Sequence, residues 1–248
     1  MRRIHLVLPI TTLLFATGAI GATGAIAADA PDKQALDQAI RSYLLEHPEV
    51  IIESLEKFEQ KQRAARDRAS ADALASRKDE LYNHPMTPVT GNPKGDVTIV
   101  EFFDYQCGYC KRAMQTVLEV QKEDPSVRIA WKELPILGPA SEFAARAAMA
   151  AKRQDKYLDF HVAVMGNRGP LTPDTVFQLA KKAGISVDRL KRDMADPAIE
   201  KYLQDTLQLA QQLGINGTPG FVIGGKLVPG AIEKDQLKEL IAEARKPG

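Results

Sequence analysis

The stretch Val97-Thr98-Ile99-Val100-Glu101-Phe102-Phe103-Asp104-Tyr105-Gln106-Cys107-Gly108-Tyr109-Cys110-Lys111 decides how the rest of the chain is read. Its first seven residues are dominated by β-branched and aromatic side chains, the composition of a buried strand. The strand runs directly into Cys107-Gly108-Tyr109-Cys110 and a helix reaching about Gln121, and Val127 to Glu133 has the character of a second strand. Strand, helix and strand with a short return make a right-handed βαβ crossover joining a parallel pair. The fold class is therefore α/β.

Downstream, the pattern from Pro139 to Leu213 is helical throughout. It holds the Ala-rich stretch Phe143 to Ala151, then Tyr157 to Met165, then a helix with Thr172 as N-cap and Pro173 at its first position. Ser186 caps another, Pro197 opens one more, and Gly184 and Gly214 stand where left-handed C-terminal glycines belong. Residues 139–213 thus read as an all-helical insertion. Phe221 to Ile223 and Leu227 to Val228, split by Gly224-Gly225, form a tight hairpin, and Ile232 to Ala244 a terminal amphipathic helix. Residues 84–138 and 214–248 then make up the domain that the insertion interrupts.

Upstream, His84-Pro85 through Gly95 is rich in proline and glycine and reads as a linker or strand-entry loop. From Asp32 to about Tyr82 there is no internal glycine and Pro48 is the one proline, so two helices meet near His47-Pro48. Leu36, Ile40, Leu44, Ile51, Leu55 and Phe58 form an apolar stripe that turns to alanine beyond Gln62. Residues 28–83 are an N-terminal helical extension, and this stripe makes them a candidate homo-oligomerisation element. Arg2 and Arg3 followed by an uncharged run from Ile4 to Ala28, with Ala25-Ile26-Ala27 as an A-x-A site, give residues 1–27 the layout of a cleaved signal peptide. The expected location is outside the cytoplasm, in an oxidising compartment.

Composition bounds the function. The 248 residues carry a net charge of +1, with 44% hydrophobic and 26% charged residues. That balance excludes a wholly disordered chain and a polytopic membrane protein, and no basic surplus points to nucleic acid. Two cysteines are too few for a disulfide-stapled mini-fold, and their C-x-x-C spacing moves the question from stability to chemistry. Cys107 begins a helix, where unpaired N–H groups and the helix dipole stabilise negative charge on its sulfur, so it is the nucleophile. Cys110, one turn on and deeper, is placed to attack a mixed disulfide on Cys107 and release the substrate. A zinc site needs two further ligands, and His5, His47, His84 and His161 are not at ligand spacing. A purely structural bridge closing so small a loop gains little.

The motif Phe102 to Lys111, with Gly217-Thr218-Pro219-Gly220-Phe221 far downstream, resembles the bacterial periplasmic DsbA-type family of thiol-disulfide oxidoreductases, in its ScsC-like (suppressor of copper sensitivity) branch. The resemblance covers about residues 84 to 245 and implies a thioredoxin fold interrupted by a helical domain. It implies that Pro219 is a cis-proline facing the active-site cysteines, and that the Thr218 backbone pairs with the substrate chain. It makes Glu101 the family's buried acid, moving protons during exchange at Cys110, with Lys132 as its expected partner. Gly108 and Tyr109 replace the Pro-His dipeptide of the strongest oxidants, and Thr218 resembles the residue of disulfide isomerases rather than the valine of oxidases. Phe103, Tyr105 and Tyr109 are candidates for an apolar lip over the site, although Phe102 and Phe103, as strand aromatics, read first as core, and Trp131, Met149 and Met165 read as core too.

These readings converge on an exported thiol-disulfide oxidoreductase that acts on cysteine-containing exported proteins, with isomerase favoured over oxidase. No metal or organic cofactor is expected beyond the redox-active Cys107–Cys110 pair. The expected membrane redox partner is a DsbD/ScsB-like reductant for an isomerase or a DsbB-like oxidant for a dithiol oxidase. The rival from another class is a periplasmic chaperone or Cu(I)-binding protein using the same sulfurs.

Overall fold

The computed structural model describes residues 32–246; the expected signal peptide lies outside them. The chain divides into two compact units between Lys57 and Phe58. In the first, helix α1 (Lys33–Glu46) starts where the Asp32 carboxylate accepts the Gln34 N–H at 3.3 Å. It stops at His47, beside Pro48, which has no N–H to continue the ladder. Helix α2 (Glu49–Ser76) follows. No residue of α1 is buried, and Leu36, Ile40, Ile51 and Leu55 are all about half exposed or more.

The second unit begins earlier than the sequence reading placed it. Residues 58–83, part of the helical extension in the sequence, belong to this unit: Ser70 Oγ donates to the Leu213 carbonyl at 2.8 Å and Leu81 is fully buried. Leu81 sits in a π-helical turn, Asp79–Asn83, that follows α2. Alanine at the end of the apolar stripe is the reason: small side chains at Ala73 and elsewhere let the helix lie close to its neighbours, so burial leaves no large-residue signature.

The sheet has strand order β1-β3-β2-β4-β5. Strand β2 (Val97–Phe103) pairs in parallel with β3 (Val127–Glu133) through the crossover helix α3 (Gly108–Glu123), as the sequence implied. The proline- and glycine-rich stretch expected to be a linker or strand-entry loop contains strand β1 (Val89–Gly91). The strand is three residues long, too short for periodicity to show, and it is held antiparallel on β3 with Trp131 Nε1 donating to Thr90 Oγ1 at 3.0 Å. Strands β4 (Gly220–Ile223) and β5 (Lys226–Pro229) form the expected hairpin. Its turn needs Gly224 and Gly225, whose φ values of 55° and 77° suit a type I′ turn.

Side chains alternate across β2 and β3, so one face of the sheet carries Ile99, Phe103, Ile129 and Trp131 and the other Val100, Phe102 and Ala130. Helix α3 and the terminal helix α9 (Lys234–Ala244) cover the first face. The inserted helices are α4 (Pro139–Lys152), α5 (Tyr157–Met165), α6 (Pro173–Lys182), α7 (Val187–Asp193) and α8 (Pro197–Gln212). Thr172, Ser186 and Asp196 cap the last three as side-chain acceptors. Ala144, Ala145, Ala147, Ala148, Ala150 and Ala151 of α4 are all buried, which brings its neighbours close. These helices share one continuous core with Phe103 and Trp131, so the insertion is an annex of the sheet's core rather than a second one. Phe102 and Phe103, both fully buried, each contribute about 1.5–3 kcal/mol by removal from water.

Candidate active site

Cys107 is the N-cap of α3, with φ −72° and ψ 114°, and its sulfur accepts the Cys110 N–H at 3.3 Å. Both cysteines are free thiols, and the Cys107 thiol donates to the Thr218 carbonyl at 3.2 Å. The Thr218-Pro219 peptide bond is cis. The fold thus brings Cys107, Cys110, Thr218 and Pro219 together from ends of the chain more than a hundred residues apart. A surface hollow of about 340 Å³ is lined by Thr218 and Pro219 together with residues that include Gly217, Leu227 and Pro229.

The two sulfurs are not equivalent. Cys107 retains 7% of its surface, whereas Cys110 has none. Burial pushes the Cys110 thiol far up, helped by its bond with Cys107 and by the nearby Glu101 charge. An approaching disulfide therefore meets Cys107 first, and Cys110 gives up its proton reluctantly.

Glu101 is fully buried and neither carboxyl oxygen has a hydrogen-bond partner in the protein. Burial, and then the charge of Cys107, hold it well above the usual carboxylate range. Lys132 is not its partner. Glu101 stands opposite Trp131 in the β2–β3 register and Phe102 stands opposite Lys132, so the lysine points to the other face. There Lys132 Nζ donates to the Glu80 carbonyl at 2.5 Å and to Thr87 Oγ1 at 2.7 Å. Burial lowers its pKa to about 7.

Gly108 opens α3 with open space where a Cβ would project. Tyr109 is 61% exposed, with the Arg112 guanidinium 4.4 Å from its ring centroid. The apolar lip expected from three aromatics reduces to this one. Phe103 and Tyr105 are buried, because Tyr105 OH reaches inward to donate to Glu133 Oε1 at 3.1 Å. Tyr157 OH donates to the same oxygen at 2.8 Å, and His161 Nδ1 lies 3.2 Å from Tyr105 OH. Since the Tyr105 proton goes to Glu133, His161 donates from Nδ1, and burial keeps it neutral with a pKa of about 3. Burial also raises Glu133 well above the carboxylate range. Trp131, Met149 and Met165 are core, as read.

A second buried acid, Asp104, escaped the sequence reading. Its partners Leu137 and Ser141 lie 33 and 37 residues away, so no local pattern reports them. The Glu133 network was missed for the same reason; its one sequence trace is Tyr157 and His161 on one face of a helix.

Residues 98–242 match the model of the DSBA-like thioredoxin domain. The chain belongs to this DsbA-like thioredoxin-domain family. It is a thiol-disulfide oxidoreductase of that family, with Cys107 and Cys110 as its C-x-x-C pair. Residues 32–65 match the N-terminal domain of the copper resistance protein ScsC. A crystal structure of a thioredoxin-like oxidoreductase from Silicibacter pomeroyi DSS-3 is 48% identical, with a TM-score of 0.67 over 68% of this chain and 98% of that one. A linker-deleted variant of Proteus mirabilis ScsC is 29% identical, with a TM-score of 0.68 over 89% of this chain and 98% of that one. Among curated relatives, the sodium/proton antiporter NhaA 3 of Salinispora tropica is 28% identical over 158 residues, which is 63% of this chain but 24% of the antiporter. The chain thus spans about a quarter of the length of the antiporters it matches. No helix among the described residues is long and apolar enough to cross a membrane.

Proposed function

We propose that this DsbA-like oxidoreductase is a disulfide isomerase for cysteine-containing exported proteins, working in the periplasm after cleavage of residues 1–27. The observation that carries the reading is the contrast between the sulfurs: Cys107 still 7% exposed at a helix N-terminus, Cys110 fully buried with its thiol pushed up. The Cys107 thiolate attacks a client disulfide, forming a Cys107–client bond and expelling a client thiolate. That thiolate, or another in the client, then attacks the client sulfur bonded to Cys107, makes a new client disulfide and regenerates the Cys107 thiolate, with no net oxidation. Attack by Cys110 instead releases a reduced client and leaves the Cys107–Cys110 disulfide. A protonated, buried Cys110 slows this escape and leaves time for rearrangement. Glu101, in its deprotonated form, is the group placed to take the Cys110 proton.

In this reading Gly108, Tyr109 and Thr218 contact the client, the Thr218 backbone pairing beside cis-Pro219. A DsbD/ScsB-like membrane reductant returns the escaped disulfide to the dithiol, and no metal or organic cofactor takes part. Reactivation of a scrambled substrate, compared with oxidation of a reduced one, tests the assignment. Scrambled substrate should be rescued faster, Cys107→Ser should abolish rescue, and Cys110→Ser should accumulate mixed disulfides. Preferential oxidation of reduced substrate would make the chain a dithiol oxidase.

A further inference from the structure

One buried side chain at the site takes no part in the exchange itself. Asp104 sits in the turn between β2 and α3, and its carboxylate gathers three donors: the Gln106 N–H at 2.7 Å and Ser141 Oγ at 2.6 Å on Oδ1, and the Leu137 N–H at 2.9 Å on Oδ2. Its carbonyl accepts the Cys107 N–H at 3.1 Å. The Gln106 side-chain amide closes the ring, donating to Ser141 Oγ at 2.9 Å and to the Leu137 carbonyl at 3.0 Å. The residue is 1% exposed.

We propose that Asp104 is a positioning residue for Cys107, joining the nucleophile's turn to the segment after β3 and the first turn of α4. The proposal rests on disulfide exchange at Cys107. Its physical basis is a difference between the redox forms. In the oxidised protein a covalent bond fixes Cys107 against Cys110. In the reduced protein nothing covalent holds the turn, and these three hydrogen bonds keep the sulfur opposite the Cys110 N–H. A dithiol that loses them can relax its turn, whereas the disulfide must hold the same turn without them, so Asp104 stabilises the disulfide more than the dithiol. Ser141→Ala removes one of these bonds and leaves the carboxyl group in place, which separates positioning from electrostatics.

The test is the equilibrium of the full chain with reduced and oxidised glutathione, for the native protein, Asp104→Asn and Ser141→Ala. Asparagine puts an NH2 donor where one of three donors must be met, so at least one bond is lost with the charge. Asp104→Asn should move the equilibrium about three- to tenfold toward the dithiol. Ser141→Ala, which removes one donor and leaves the charge, should move it the same way by less. A contact that was structural only would lower the thermal midpoints of both redox forms alike and leave this equilibrium unmoved. No shift, or a shift toward the disulfide, overturns the proposal. Should Asp104→Asn fail to fold, Ser141→Ala decides by the same criterion. A native protein that does not equilibrate with glutathione refutes the exchange reading itself, a result distinguishable from an unshifted variant.

Discussion

Both oxygens of Glu101 are buried without a partner, and burial holds its proton well beyond the pH at which an unfolded chain would release it. The folded pKa is raised, so its stabilising contribution is complete below the unfolded value of 4.5 and is lost as pH rises toward the folded value. Glu101→Gln keeps the shape and removes the ionisation. The variant should gain on the native protein as pH climbs from 4.5 to 8, by about 1–3 kcal/mol at the upper end, the cost of a buried unsatisfied group. It should also lose the group that accepts the Cys110 proton, and so slow release of mixed disulfides. Urea unfolding at two pH values and a single-turnover release assay measure the two effects. A variant with the native pH profile would mean that Glu101 is not the titrating group.

At the scale of elements, the turn Asp79–Asn83 is secured to the sheet by Lys132, which was expected on the other face. A lysine lowered to about 7 from 10.5 is neutral in the folded protein and charged in the unfolded one between these values, so stability rises with pH across that window. Lys132→Met should flatten this slope, of up to about 1.4 kcal/mol per pH unit, and free the Glu80 carbonyl. Chemical denaturation from pH 7 to 10 reads the first effect, and amide exchange in the turn the second. An unchanged slope in the variant would assign the pH dependence to another group. Helix α4 belongs to the same scale: its composition announced a helix, but only contact with four neighbouring helices explains why six alanines were needed.

For the whole molecule, the apolar stripe of the first unit bears on the proposed isomerase role. Leu36, Ile40, Ile51 and Leu55 are each 46–57% exposed, a row of large side chains on the described surface that a second copy of the chain can cover. Several Cys107 sites in one assembly would hold a misfolded client while its disulfides exchange. Ile40→Glu combined with Leu55→Glu should convert a multimer to a monomer by light scattering, lower scrambled-substrate rescue and spare simple dithiol oxidation. A native protein that is already monomeric ends the expectation that residues 28–83 are an oligomerisation element.

What the sequence determined by itself is whatever is written in neighbouring residues. The two parallel strands, the helix opened by Cys107, the caps at Thr172 and Ser186 and the Gly224-Gly225 turn each follow from a run of a few side chains whose spacing dictates local backbone geometry. The pairing of Cys107 with Thr218-Pro219 was legible because two motifs together resemble a family, not because spacing predicts it. The tertiary structure alone decided which face Lys132 takes, that Tyr105 turns inward to Glu133, that β1 exists, and that Asp104 meets Leu137 and Ser141. Each depends on strand register or on partners distant in the chain, and a shift of one residue in register reverses the face of every side chain, which no local pattern can specify.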